Sequence, residues 1–80
     1  MLKMYTTTWC PDCRRAKRFL SERGIEIEEI NIETTPGAAA IVAGANAGKY
    51  KVPTFDHGGH FFACSPFDPG ILRRELKIAD

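Results

Sequence analysis

Trp9-Cys10-Pro11-Asp12-Cys13 decides how the rest of the chain is read. Two cysteines separated by two residues can close an intramolecular disulfide and open it again. Pro11 directly after Cys10 marks a helix start, because the first helical turn needs no N–H from that residue. Cys10 then stands just outside the helix end and Cys13 in its first turn. There the unpaired backbone N–H groups and the helix dipole favour a thiolate over a thiol. Arg14, Arg15, Lys17 and Arg18 follow and add a positive field. Asp12 opposes it, since a carboxylate beside a thiolate raises the thiol pKa.

Upstream, Leu2, Met4, Tyr5 and the threonines Thr6 to Thr8 suggest a first strand over about residues 2–6, leading into the cysteine loop. Downstream, Cys13, Ala16, Phe19 and Leu20 share one helical face, and Gly24 is placed as a stop. This spacing puts Cys13 on the buried side and Cys10 at an exposed tip. Ile25 to Ile32 reads as a strand over about 26–31 with a slipped apolar phase: Ile25 and Ile27 are odd, Ile30 and Ile32 even. Either a bulge or burial on both faces accounts for the slip.

Thr34-Thr35-Pro36 predicts a threonine-capped helix through Ala38–Ala47, ended by Gly48. Val52-Pro53-Thr54-Phe55 and His60-Phe61-Phe62-Ala63 flank Asp56-His57-Gly58-Gly59 and predict a hairpin with a glycine turn. Pro53 fits a strand start or an edge. Asp68 can cap a last helix with Pro69 in its first position and Ile71, Leu72, Leu76 and Ala79 on its apolar face. Phe19, Leu20, Phe55, Phe61 and Phe62 are the expected core. The order β-α-β-α-β-β-α predicts an α/β fold, a four-stranded mixed sheet with three flanking helices.

Eighty residues suit a single domain spanning 1–80, and 44% hydrophobic with 26% charged residues is an ordinary globular balance. A formal net charge of +1 gives no reason to expect nucleic acid or an acidic membrane as partner. Three cysteines are too few, and odd in number, for a secreted disulfide scaffold. The N-terminal residues lack the apolar core of a signal peptide, and no stretch is long and apolar enough to span a bilayer. A monomeric cytoplasmic protein is expected, where such a cysteine pair is catalytic or metal-binding more often than structural.

The chain resembles a glutaredoxin, within the thioredoxin fold, over essentially its whole length. The resemblance rests on Tyr5-Thr6-Thr7-Thr8-Trp9-Cys10-Pro11-Asp12-Cys13, on Lys51-Val52-Pro53-Thr54-Phe55, and on Asn31-Ile32-Glu33 ahead of a helix. Its length and its sequence from Val52 onward are most similar to mycoredoxins and NrdH-type redoxins. The resemblance implies a thiol–disulfide oxidoreductase, with Cys10 as nucleophile and Cys13 as resolving thiol. It implies a cis Pro53 facing the dithiol, and a Val52 whose backbone pairs with an extended substrate. Trp9, Pro11, Asp12, Lys51, Cys64 and Ser65 would complete the substrate surface.

Departures from the family pattern bear on the co-substrate. Thr7 stands where glutathione-using members carry lysine, and Lys51 replaces the threonine before Val-Pro. Asp12 replaces an aromatic residue. Ala63-Cys64-Ser65-Pro66 replaces the loop that receives the γ-glutamyl end of glutathione, without its glycines or aspartate. Glutathione, mycothiol, bacillithiol or a protein dithiol are all open as electron source, as is thioredoxin reductase. Substrates would be mixed disulfides or protein disulfides such as that of a ribonucleotide reductase.

The same cysteine spacing is a zinc half-site, and Cys64, His57 and His60 offer further ligands. A zinc half-site normally turns through glycine, whereas Arg14 here continues a helix. An iron–sulfur cluster would need four thiolates assembled from two chains. No bound metal or cofactor is expected, and the metal module stands as the alternative. An adaptor of the same fold without turnover is a third reading. Cys64 is either a small buried hydrophobe or an extra redox or dimerising thiol.

Overall fold

The computed structural model describes residues 1–78. The chain forms β1 (Leu2–Thr6), α1 (Pro11–Glu22), β2 (Ile27–Asn31), α2 (Ala38–Ala45), β3 (Thr54–His57), β4 (His60–Ala63) and α3 (Pro69–Leu76). The strands lie in the order β2-β1-β3-β4. β1 runs parallel to β2, antiparallel to β3, and β3 antiparallel to β4. This is the expected mixed sheet in the expected element order.

β1 is central, so its side chains are buried on both sides. Leu2 and Met4 join a core with Phe19, Leu20, Phe55 and Leu72, which packs α1 and α3 on one face. Tyr5 joins Ala38 and Val42 beneath α2 on the other. The same division explains β2. Its register with β1 is unbroken from Leu2↔Ile27 to Thr6↔Asn31, so there is no bulge. Ile25 and Ile27 pack on the α1 side and Ile30 and Ile32 on the α2 side. Phe61 and Phe62 likewise divide between the two faces and are half-buried, whereas Phe55 is fully enclosed.

α1 ends as its sequence predicts. Gly24 takes φ +69°, its N–H donates to the Ser21 carbonyl at 3.0 Å, and that of Ile25 to Leu20 at 3.0 Å. This pair of bonds is a Schellman stop, which needs a left-handed residue. The hairpin turn is tighter than expected, since Asp56 and His57 belong to β3. Gly58 and Gly59 alone connect the strands, with φ of +61° and +94°, the handedness a two-residue turn requires. Asp68 caps α3, its carboxylate accepting from the Gly70 N–H at 2.9 Å. Ala79, assigned to the apolar face of α3, lies outside the described residues.

α2 departs from expectation at both ends. No threonine caps it; Gly37 is its N-cap, without a side-chain bond. Thr34 and Thr35 instead donate their N–H groups to the Asn31 carbonyl at 3.3 and 3.0 Å, and Pro36 disfavours helical backbone at Thr35. The helix stops at Ala45 rather than Ala47. Asn46 caps it and Ala47 turns left-handed at φ +55°.

Candidate active site

Cys10 is the N-cap of α1, with extended backbone, and its Sγ accepts the Cys13 N–H at 3.1 Å. A sulfur thus occupies the place an aspartate or serine oxygen usually takes at a helix start. Cys10 and Cys13 are joined as a disulfide, their Cα atoms 5.1 Å apart. Pro11 begins the helix and is exposed. Cys13 is 2% exposed, as its place on the apolar helix face requires. Cys10, expected at an exposed tip, is only 6% exposed. Its sulfur is tucked against the Val52 carbonyl, 3.7 Å away, and the exposed tip is Trp9, at 86%.

Val52 and Pro53, joined by a cis peptide bond, precede β3 and form the opposite wall. The Pro53 carbonyl accepts the Cys64 N–H at 2.9 Å, which brings the end of β4 beside this wall. Ser65 follows, half-buried, ahead of a second cis bond to Pro66. The residues singled out in the sequence therefore converge: Trp9 to Cys13 on one side, Lys51 to Pro53 with Cys64 and Ser65 on the other.

Two polar networks hold these walls. Thr8 is pinned on one side, its N–H donating to Glu33 Oε1 at 3.1 Å and its Oγ1 accepting from Asn31 Nδ2 at 3.1 Å. On the other, Thr54 Oγ1 donates to the Lys51 carbonyl at 2.6 Å and accepts from Asn46 Nδ2 at 3.1 Å. Thr54 and Asn46 were not anticipated. Their signal was an asparagine at the end of an alanine-rich helix, where its side chain competes with the backbone rather than supporting it.

The positive field downstream of the cysteines is weaker than the sequence suggests. Arg15 pairs with Asp12 at 3.2 Å, Lys17 with Glu29 at 3.1 Å and Arg18 with Glu22 at 3.3 Å. Arg14 has no ion-pair partner among the described residues. It borders a cleft of about 380 Å³ together with Thr7, Thr8, Lys17 and Asn31, and both disulfide cysteines line that cleft.

Cys64 is fully enclosed. Its thiol donates to the Asp68 carbonyl at 3.4 Å and accepts the Asp68 N–H at 3.3 Å, tying β4 to the start of α3. Burial pushes its pKa up, and the Asp68 and Asp12 carboxylates push the same way against the Asp68 N–H. His57 and His60 sit in the hairpin at the far end of the sheet, His60 against Glu75 at 3.1 Å. Among the described residues no three His, Cys, Asp or Glu side chains converge as a metal site requires.

A family profile described as glutaredoxin matches residues 2–62. A Mycobacterium tuberculosis protein provisionally named a glutaredoxin is 33% identical over 78 residues, 98% of this chain and 93% of that one. A glutaredoxin of Pseudomonas aeruginosa is 42% identical over 50 residues, 62% of this chain and 58% of that one. Among solved structures, the glutaredoxin-like protein NrdH-redoxin from Escherichia coli is similar at a TM-score of 0.77. It is 28% identical, covering 99% of this chain and 97% of that one. The thioredoxin-like protein BC3987, as its T8A mutant, is similar in fold at a TM-score of 0.80 and 24% identity, covering 98% of this chain and 96% of that one. With its cysteine pair at the mouth of α1 and its thioredoxin-like sheet, this chain belongs to the glutaredoxin family.

Proposed function

We propose that the protein is a thiol–disulfide oxidoreductase that reduces mixed or protein disulfides with the Cys10–Cys13 dithiol. One observation carries this reading: the Cys10 sulfur caps α1, 3.1 Å from the Cys13 N–H, with the Val52 carbonyl opposite. A thiolate released there keeps the N–H bond and the favourable end of the helix dipole. In the reaction, the Cys10 thiolate attacks one sulfur of the substrate disulfide, and the other sulfur leaves as a thiolate that takes up a proton. Cys13, losing its proton, then attacks Cys10 Sγ and expels the second substrate thiolate. Two electrons and two protons pass from the dithiol to the substrate, and the Cys10–Cys13 disulfide remains.

A low-molecular-weight thiol or thioredoxin reductase would return the electrons. NrdH-redoxin from Escherichia coli, similar over nearly the whole chain, is described as having a thioredoxin-like activity profile. That likeness supports the reductase route. Val52 and Pro53 form the wall along which an extended substrate would align, with Trp9, Pro11, Asp12, Lys51 and Ser65 around it and the buried Cys64 behind that wall, out of a substrate's reach.

Reductase-coupled turnover of a model mixed disulfide tests this reading, with glutathione, mycothiol, bacillithiol and thioredoxin reductase each as electron source. Turnover with a small thiol that survives Cys13→Ser but not Cys10→Ser assigns a monothiol route. Turnover with thioredoxin reductase alone, lost in both variants, assigns a dithiol route. Absence of turnover with every source, or activity retained in Cys10→Ser, refutes the proposal.

A further inference from the structure

We propose that the surface around Cys10 docks an acidic segment of a partner protein. Arg14, Lys49 and Lys51 would meet its carboxylates, and Trp9 and Tyr50 would cover its apolar side chains. This inference names a substrate class for the exchange reaction above and rests on that reading.

Placement comes first. Cys10 Sγ and the Val52 carbonyl are in contact at 3.7 Å, so their chain neighbours Trp9 and Lys51 stand on either side of the reactive sulfur. Arg14 donates its N–H to the Cys10 carbonyl at 3.1 Å and opens onto the cleft beside the disulfide. Lys49 is held at the end of α2 by its N–H bond to the Asn46 carbonyl at 3.1 Å. The Thr54 bond to the Lys51 carbonyl fixes the same strip from below.

The cations of this region fall into two groups. Arg15, Lys17 and Arg18 each face a carboxylate. Arg14, Lys49 and Lys51 are exposed and have no ion-pair partner among the described residues. Asp12 is already matched by Arg15 and Glu29 by Lys17, which leaves Glu33, bound to the Thr8 N–H, and Asp68, beside Cys64, as the nearby countercharges. The formal net charge of the whole chain is only +1, so any steering rests on where these three cations stand and not on the total. Such an arrangement steers an anionic partner and falls off with salt.

The rings argue for a polypeptide over a small thiol. Trp9 is 86% exposed and Tyr50 67%, a large apolar area to leave in water beside a reactive centre. The molecule is 22 Å across its shorter axes, and extended chain advances about 3.3 Å per residue. About seven residues of an extended partner would therefore traverse the face and meet cations on both sides of Cys10. A small thiol covers only its centre.

The test is a single-turnover reduction by the fully reduced protein. Three short peptides carry one cysteine as a thiopyridyl mixed disulfide, flanked by acidic, by neutral or by basic residues. A small uncharged thiopyridyl disulfide is the fourth substrate, and release of thiopyridone is followed by absorbance. At about 0.02 M salt the acidic peptide is expected to react about tenfold faster than the neutral one, and the basic peptide slowest. The order should collapse by about 0.5 M salt, and the double variant Lys49→Gln, Lys51→Gln should narrow it at low salt. Equal rate constants for the three peptides, or a preference unaffected by salt, would overturn the docking proposal while exchange itself stands. No reaction with any substrate, the small disulfide included, would overturn the exchange reading and the docking proposal with it.

Discussion

Thr54 Oγ1 donates to the Lys51 carbonyl at 2.6 Å, across the Val52-Pro53 step that faces the disulfide. Thr54 is completely buried, and its oxygen also accepts from Asn46, which in turn donates to the Val42 carbonyl at 2.8 Å. One hydroxyl therefore couples the end of α2 to the wall against which Cys10 rests. Val52 and Pro53 make no such bond with their own side chains, so their position depends on residues outside the site.

Thr54→Val keeps the shape of the side chain and removes the hydroxyl. It leaves the part-buried Asn46 amide short of an acceptor and the Lys51 carbonyl without its donor, a loss of about 1–3 kcal/mol. A lower urea midpoint is expected, together with a raised KM for peptide disulfides. Thr54→Ser should restore the KM, since it restores the bond. A KM unchanged in Thr54→Val would show that the bond serves stability alone.

The Cys10 thiol of the reduced protein is expected to titrate below the ordinary thiol value of about 8.5. The cause is the Cys13 N–H at the helix start. Absorbance of the thiolate at alkaline-to-acid steps reads the midpoint, and Cys10→Ser should remove that transition. Asp12→Asn should lower it further by under about one unit, because the removed carboxylate opposes the thiolate. Arg15 already offsets part of that charge at 3.2 Å. A midpoint at the ordinary value would contradict the helix-cap argument.

Cys64 should resist alkylation in the native state. Its thiol is fully buried and bonded to both backbone groups of Asp68, and its pKa is raised. The raised value also predicts a pH dependence. In the window between the unfolded and folded pKa the unfolded chain has lost the proton that the native protein keeps, so stability falls as pH rises. Its contribution is complete below the unfolded thiol value and is lost as pH climbs through the folded one. Urea midpoints of the oxidised protein should therefore decline on the alkaline side more steeply than those of Cys64→Ala. Parallel curves, or ready alkylation of Cys64 in native protein, would refute this.

Gly59→Ala should destabilise without touching exchange. Gly59 has φ +94°, and an L side chain there costs about 1–2 kcal/mol. Its N–H bond to Asp56 Oδ1 at 2.8 Å holds the turn at the end of the sheet away from the cysteines. A lowered urea midpoint with unchanged kcat/KM for a small disulfide is the expected result.

Much of this protein was determined by sequence alone because the signals are local. Cys10-Pro11 at a helix start, Gly24 as its stop, Asp68-Pro69 at the last helix and the Gly58-Gly59 turn each act through the backbone of a few neighbouring residues. The apolar face of α1 followed from period and β1 from its β-branched and aromatic content, and with them the order of elements and the mixed sheet. Only tertiary structure decided what depends on residues far apart in the chain. The slipped phase of β2 is two-sided burial because α1 and α2 cover opposite faces of the sheet. Cys10 is enclosed because Val52, 42 positions away, closes over it. Three of the four cations after Cys13 spend their charge on carboxylates, one of them on the neighbouring strand β2. Thr54 and Asn46 join the site only when α2 and β3 meet, a contact that no local preference encodes.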